Sequence, residues 1–296
     1  MATSPFKDDC LKGRVALITG GGSGIGFEIA RQIGLHGGKV VIMGRRAKFL
    51  QEAVDALKRD EIDADCYVGD VRIRESAKGA VDFTVGKFGK LNVLVNGAAG
   101  NFLANAHELA LKGFKTVLEI DTVGVFNMST AAFPALAASG DAAVINISMT
   151  LHYGATWFQA HACAAKAAID ALTRSLALEW GAHGIRVAGI APGAIADTPG
   201  MAKLTPGLSA GADWAKERVP LGRMGATRDI ALAAVYLCSG AGAYVSGHTL
   251  VVDGAEWLWR APAVAPREVS ALSRAAERGS RAMGVQQQQQ QPKSKL

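Results

Sequence analysis

A short β-branched and apolar run, Arg14-Val-Ala-Leu-Ile-Thr19, leads directly into Gly20-Gly21-Gly22-Ser23-Gly24-Ile25-Gly26, and residues 25–35 then show helical spacing that Gly37 and Gly38 stop. Few folds accept that order. Strand, glycine turn and helix form the context of a dinucleotide site: glycines let the backbone turn tightly and approach a pyrophosphate, while amides at the helix start offer hydrogen bonds and positive dipole potential. Without the flanking strand and helix, the same glycines would read as a connector.

The alternation continues down the chain. A second strand, Val40–Met43, ends in Gly44-Arg45-Arg46. Sites for NAD place an acid here to accept from the ribose 2′-hydroxyl, whereas an arginine suits a 2′-phosphate, so Arg45 points to NADPH as cofactor. The plainer reading, two solvated arginines opening helix 47–59, sets cations against the helix dipole. A third strand over 64–68 ends at Asp70-Val71-Arg72 and is followed by a helix over 75–88, a strand over 91–95 and the loop Asn96-Gly97-Ala98-Ala99-Gly100-Asn101-Phe102. Such small residues make a tight turn or let a cofactor lie against the backbone. Residues 107–138 read as one long helix with breaks expected at Gly113 and Pro134. It carries Asp121 in an apolar surround, where carboxylates are uncommon unless paired or functional. Strand 142–147, helix 158–180, strand 185–190, a loop from Ala191 to Thr198, helix 228–239 and strand 249–252 complete the pattern. The expected fold is α/β, a Rossmann-type doubly wound parallel sheet of about seven strands with helices on both faces. Residues 199–226, rich in Gly, Pro and Ala, read as a lid or binding loop.

Strand 142–147 runs into Ser148, and the alanine-rich helix after it carries Lys166 among small apolar residues. This segment resembles the active site of the short-chain dehydrogenase/reductases with one gap: the tyrosine expected four residues before the lysine is Ala162. Within that family, Ala98-Ala99-Gly100-Asn101-Phe102, Asp121-Thr-Val-Gly124, Asn146-Ile-Ser148, His161-Ala-Cys-Ala-Ala-Lys166 and the terminal Ser-Lys-Leu are similar to the peroxisomal 2,4-dienoyl-CoA reductase branch, which lacks the tyrosine too. The resemblance spans nearly the whole body, from about Leu11 to Trp257. It implies NADPH-dependent reduction of trans-2,4-dienoyl-CoA to trans-3-enoyl-CoA in β-oxidation of unsaturated fatty acids, and a homotetramer. Residue by residue it implies cofactor contacts from Gly20, Gly21, Gly22, Ser23, Gly24, Ile25, Gly26, Arg45, Asp70, Val71, Asn96, Ala98, Lys166, Pro192, Gly193, Ile195 and Thr198. It also implies an Asp121 and Lys166 pair that orders a water for protonation, and acyl-CoA contacts at Arg72, Phe102 and Lys203. Two positions depart from the family pattern: Gly97 replaces a larger residue, and Ala188-Gly189 stands where Val-Asn is usual.

The missing tyrosine changes what chemistry is reasonable. Moving a proton to or from a carbonyl oxygen suits a tyrosine whose pKa a neighbouring lysine lowers. Reducing a conjugated dienoyl thioester instead needs donors aimed at the thioester oxygen and a later protonation at carbon. Ser148 is either such a donor, and so catalytic with Asp121 and Lys166, or a strand-end cap. His152, Tyr153 and His161 are the remaining acids, with His161 most simply a packed helix residue. Two other readings stay open: a short-chain carbonyl or enoyl-CoA reductase using Tyr153, and a non-catalytic cofactor-binding scaffold.

Charge and termini bear on partners. The net charge of +6 falls mostly from Arg260 onward, where seven Lys or Arg face two acids. The body is thus near neutral and nucleic-acid binding has little support. Cys10, Cys66, Cys163 and Cys238 are too widely spaced for a metal set, so no metal is expected. No stretch approaches the ~18 apolar residues of a membrane span, and no secretory leader is evident at the start of the chain. The final Ser294-Lys295-Leu296 matches the peroxisomal import tripeptide, making an import receptor a partner and the peroxisome the expected location. A reductase domain over 1–259 and a basic tail over 260–296 follow, the tail holding a possible helix over 267–281 and a flexible glutamine spacer over 286–291. Its arginines read as a solvated face or as a contact to an acidic partner.

Overall fold

The computed structural model describes residues 4–204 and 212–289. Seven strands, β1 (Val15–Thr19), β2 (Lys39–Gly44), β3 (Ala64–Val68), β4 (Val93–Asn96), β5 (Ala142–Ile147), β6 (Ile185–Pro192) and β7 (Thr249–Val252), form one parallel sheet in the order β3-β2-β1-β4-β5-β6-β7. The helices are α1 (Gly24–Leu35), α2 (Ala47–Arg59), α3 (Arg74–Phe88), α4 (Leu111–Leu118), α5 (Gly124–Ser139), α6 (Ala160–Trp180), α7 (Pro199–Leu204), α8 (Ala212–Arg218), α9 (Thr227–Cys238) and α10 (Val269–Gln289).

Every residue of β1, β4 and β5 is buried. These strands read as unbroken apolar runs because both sheet faces are covered. One core contains Ile29 and Ile33 of α1, Leu50 and Leu57 of α2 and Ile230 and Val235 of α9. The opposite core contains Ala80 of α3, Met128 and Leu136 of α5 and Leu176 and Trp180 of α6. The strand order reverses between β1 and β4, and there the carboxyl ends align: Thr19 pairs with Asn96, and Asn96 with Asn146. That end of the sheet is where ligands bind in open α/β folds.

Some boundaries differ from the sequence reading. The long helix is interrupted at neither Gly113 nor Pro134; Pro134 lies inside α5, and the break is a π-helical turn at Glu119–Val123. Such turns insert an extra residue into a helix and recur at functional sites. Asp121 sits in it, buried. Helix α6 starts at Ala160 rather than Phe158, whose φ of 63° is left-handed. Residues 199–226 are not wholly irregular, since α7 and α8 lie there.

The chain divides into two compact units, Met1–Trp257 and Leu258–Leu296. In the second, α10 extends past Arg281 to Gln289, so the first glutamines are helical rather than a flexible spacer. Its side chains from Val269 through Met283 are exposed. Ser294-Lys295-Leu296 lies outside the described residues.

Candidate active site

The glycine turn is packed against the loop that follows β4. Gly20 has φ +69°, and a Cβ there would come within 2.7 Å of the Gly97 carbonyl oxygen. In return, the Thr19 hydroxyl accepts from the amides of Gly97 (3.0 Å) and Ala98 (3.1 Å). Gly97 is small for the same reason, since a Cβ on it would meet Thr19 O at 2.8 Å. At the start of α1, Ser23 makes no side-chain cap and the first turn holds no acid. The amides of Gly24, Ile25 and Gly26 therefore keep their capacity for an anion, and the cradle fits a dinucleotide pyrophosphate.

The other side of the cradle is the Pro192–Thr198 loop. Ala194 donates its amide to the Glu256 carboxylate (3.0 Å), and Gly225 accepts from the Ala196 amide while its own amide donates to Ala194 O, bracketing Ile195. Burial raises the Glu256 pKa. Sequence reading missed Glu256, although an acid just after the last strand was a usable signal. Thr198 approaches Gly24, but its hydroxyl donates to Ile195 O and accepts from Met201, closing its own turn.

Arg45 stands exposed at the end of β2. Asp70 and Arg72 are joined: the guanidinium grips the carboxylate through Nε (3.0 and 3.1 Å) and Nη2 (2.6 Å), with the Arg72 amide as a further donor. That grip, more than the charge of Arg45, holds the Asp70 pKa below its ordinary value. Val71 packs beneath, beside Gly124 at the start of α5.

Asp121 and Lys166 meet below the cradle. Lys166 Nζ lies 2.9 Å from Asp121 Oδ1 and donates to Ile147 O (3.1 Å), while Asp121 Oδ2 accepts the Gly100 amide (2.8 Å). Both side chains are at most 5% exposed. An ammonium has three donors, so one remains after Asp121 and Ile147. Ser148 bonds through its amide to Ile190 O, but its buried hydroxyl has no partner among the described residues and makes no cap. Asn96 donates to Asn146 (2.8 Å) and Ser129 (3.1 Å), and Asn146 to Thr173 (2.9 Å), so a buried amide network ties β4, β5 and α6 together under the site. Asn146 was read only as part of the Asn146-Ile-Ser148 motif, and Thr173 carried no sequence signal.

A family model described as enoyl-(acyl carrier protein) reductase matches residues 20–254. The chain belongs to the short-chain dehydrogenase/reductases. It is 54% identical over 292 residues to a peroxisomal 2,4-dienoyl-CoA reductase of Arabidopsis thaliana, covering 95% of this chain and 97% of that one. It is 43% identical to the mouse protein of the same description, covering 86% and 87%. Among solved structures, a gluconate 5-dehydrogenase from Burkholderia cenocepacia in complex with NADP and tartrate superimposes with a TM-score of 0.80 at 30% identity, covering 86% of this chain and 99% of that one.

The loop after β5 carries the two aromatic candidates His152 and Tyr153. It folds Tyr153 inward, but onto Asp170 (3.3 Å) rather than toward Lys166. His152 Nε2 lies 3.0 Å from the same carboxylate, and Thr249 donates to its other oxygen (3.1 Å). The absent side chain at Gly189 makes room for Thr249, whose Oγ1 a Cβ there would meet at 2.5 Å. Burial, then the Asp170 charge, pushes the Tyr153 pKa up to about 12, away from that of an acid working near neutrality.

Phe102 stacks on His161, ring centroids 4.2 Å apart. Asn101 bonds to Gln159 (2.6 Å) and the Ala104 amide to Phe158 O (2.9 Å), fastening this loop to the start of α6. Lys203 is exposed on α7. Beside Arg72 an open groove of about 450 Å³ is lined by Leu111, Lys112, Lys115, Thr116 and Glu119. Its three cations outnumber its one acid. Lys112 and Lys115 were missed because isolated lysines on a helix look like solvated surface.

Proposed function

We propose that this oxidoreductase reduces trans-2,4-dienoyl-CoA to trans-3-enoyl-CoA with NADPH, in the peroxisome and as a homo-oligomer. The observation that carries the reading is the buried Asp121 and Lys166 pair beside Ala162: ordered proton-handling groups without a phenol acid. When bound between the glycine turn and the Pro192–Thr198 loop, the cofactor supplies the hydride that adds at the far end of the diene. Negative charge then spreads to the thioester oxygen, where the unpartnered Ser148 hydroxyl can donate. Asp121 and the remaining Lys166 donor orient the water that protonates carbon.

Exposed Arg45 suits a 2′-phosphate, which supports NADPH over NADH. The cationic groove of Arg72, Lys112 and Lys115 suits the phosphates of coenzyme A. Support for an oligomer comes from Val123, Phe126 and Leu178, apolar yet exposed on the segment from the π-helical turn into α5 and on α6. The names of the relatives and the terminal Ser-Lys-Leu support the peroxisome.

The deciding experiment adds trans-2,4-hexadienoyl-CoA to enzyme and NADPH and follows cofactor absorbance. A fall with a 3-enoyl product is expected. Cofactor binding without oxidation would favour a scaffold, and turnover with ketones alone a carbonyl reductase.

A further inference from the structure

Glu256 lies in the turn after β7, and its carboxylate reaches back to the loop after β6, where Oε2 accepts the Ala194 amide at 3.0 Å. The side chain is half-buried, and burial pushes its pKa up despite that amide, with the Asp253 charge adding to the rise. A carboxylate set there beside a second acid is costly unless the bond it makes is needed. The turn fixes Glu256 from behind. The Asp253 carboxylate accepts the amides of Ala255 (2.8 Å) and Trp257 (2.9 Å), the Asp253 carbonyl accepts that of Glu256 (3.2 Å), and the Trp257 ring packs edge-on against Tyr153 with centroids 5.5 Å apart. Loop and turn are in direct contact, since a Cβ on Gly193 would lie 2.5 Å from Asp253 Cβ and 2.8 Å from Glu256 Oε2. Farther along, the loop meets the glycine turn: a Cβ on Gly24 would lie 3.4 Å from Pro199 Cδ and 3.8 Å from Thr198 Cβ. The spacing across the cradle thus depends on where Glu256 holds Ala194.

We propose that Glu256 is a positioning residue for cofactor binding, which fixes the Ala194 amide and so holds the Pro192–Thr198 loop at the distance from the glycine turn that a nicotinamide dinucleotide requires. The inference rests on the reading of this cradle as the NADPH site. Glu256 acts through the Ala194 amide rather than by contact with the cofactor. A loop already held in its binding position spares the cofactor the cost of ordering it. Reach and an acceptor oxygen are what the role demands, so a neutral amide of the same length can replace the acid and a shorter acid cannot. The Asp121 and Lys166 pair stands on other elements, the π-helical turn and α6, so the chemical step does not depend on Glu256.

Glu256→Ala removes the acceptor, Glu256→Asp keeps the charge but draws it back from Ala194, and Glu256→Gln keeps both reach and acceptor. NADPH binding to each full-length variant is titrated by fluorescence, and steady-state rates are taken with trans-2,4-hexadienoyl-CoA. Glu256→Ala and Glu256→Asp are each expected to raise the Kd and KM for NADPH by about tenfold, with kcat at saturating NADPH and KM for the thioester within about twofold of wild type. Glu256→Gln is expected to bind NADPH nearly as wild type does. If the alanine variant does not fold, the aspartate and glutamine variants decide alone. Wild-type NADPH affinity in Glu256→Asp, or a lowered melting temperature in every variant with kcat and both KM values changed together, overturns the role of Glu256 while leaving the cofactor site standing. A wild-type enzyme that does not bind NADPH overturns the underlying reading, and with it the inference.

Discussion

Asp121 Oδ1 and Lys166 Nζ lie 2.9 Å apart, one on a π-helical turn and the other on the helix packed against it, and neither side chain is more than 5% exposed. Removing one partner strands a buried charge, at a cost of about 3–5 kcal/mol. Asp121→Asn, which keeps the shape, should therefore be the informative variant. Turnover should fall by at least about 100-fold while NADPH still binds, and Lys166→Ala should lose activity as well. Steady-state kinetics beside a melting curve separate lost chemistry from lost stability; near-normal kcat in folded Asp121→Asn would remove the pair from the mechanism.

Tyr153 supplies a contrasting case. Its hydroxyl donates to Asp170 and its pKa is pushed up to about 12, so it is held as a structural donor. Tyr153→Phe should cost about 1 kcal/mol of stability, the worth of one hydrogen bond, and leave kcat close to wild type. The rate should show no tyrosine inflection as pH rises from 7 to 10. A large loss of kcat in Tyr153→Phe would restore the phenol as the acid.

Arg45 stands exposed just after β2, and under the proposed NADPH assignment it meets the 2′-phosphate of the adenine ribose. A charge-assisted contact is worth about 1.5–3 kcal/mol, so Arg45→Ala should weaken NADPH by roughly ten- to 100-fold and NADH little. Titration of both nucleotides by fluorescence decides it, since equal weakening would deny any contact with a 2′-phosphate.

The sheet was legible because the burial of both faces leaves unbroken apolar strands between punctuating glycines, as in β1 before Gly20. Asp121 was legible as an acid out of place. Its π-helical turn was not, because nothing in Glu119–Val123 departs from α-helical composition. Likewise the loop after β5 gave two aromatic candidates without a direction. Only the fold shows that Asp170, a full turn beyond Lys166 on α6, takes both His152 and Tyr153. Gly189 and Thr249 explain each other across β6 and β7, a compensation that sixty residues of intervening sequence conceal.

Lys112 and Lys115 lie one turn apart on α4, facing the groove that Arg72 shares. Arg72 is already tied to Asp70, so the two lysines, set against Glu119, supply the groove's net positive charge. If coenzyme A phosphates bind in the groove, Lys112→Glu combined with Lys115→Glu should raise KM for dienoyl-CoA by about tenfold or more, each rim charge being worth up to about 1 kcal/mol. Saturating kcat and NADPH affinity should not change, because neither lysine reaches the cradle or the Asp121 and Lys166 pair. Salt provides an independent check. Wild-type KM should climb with ionic strength as the groove is screened, and the double variant should respond less. A KM indifferent to both substitutions would move the nucleotide end of the substrate elsewhere, toward Lys203 on α7.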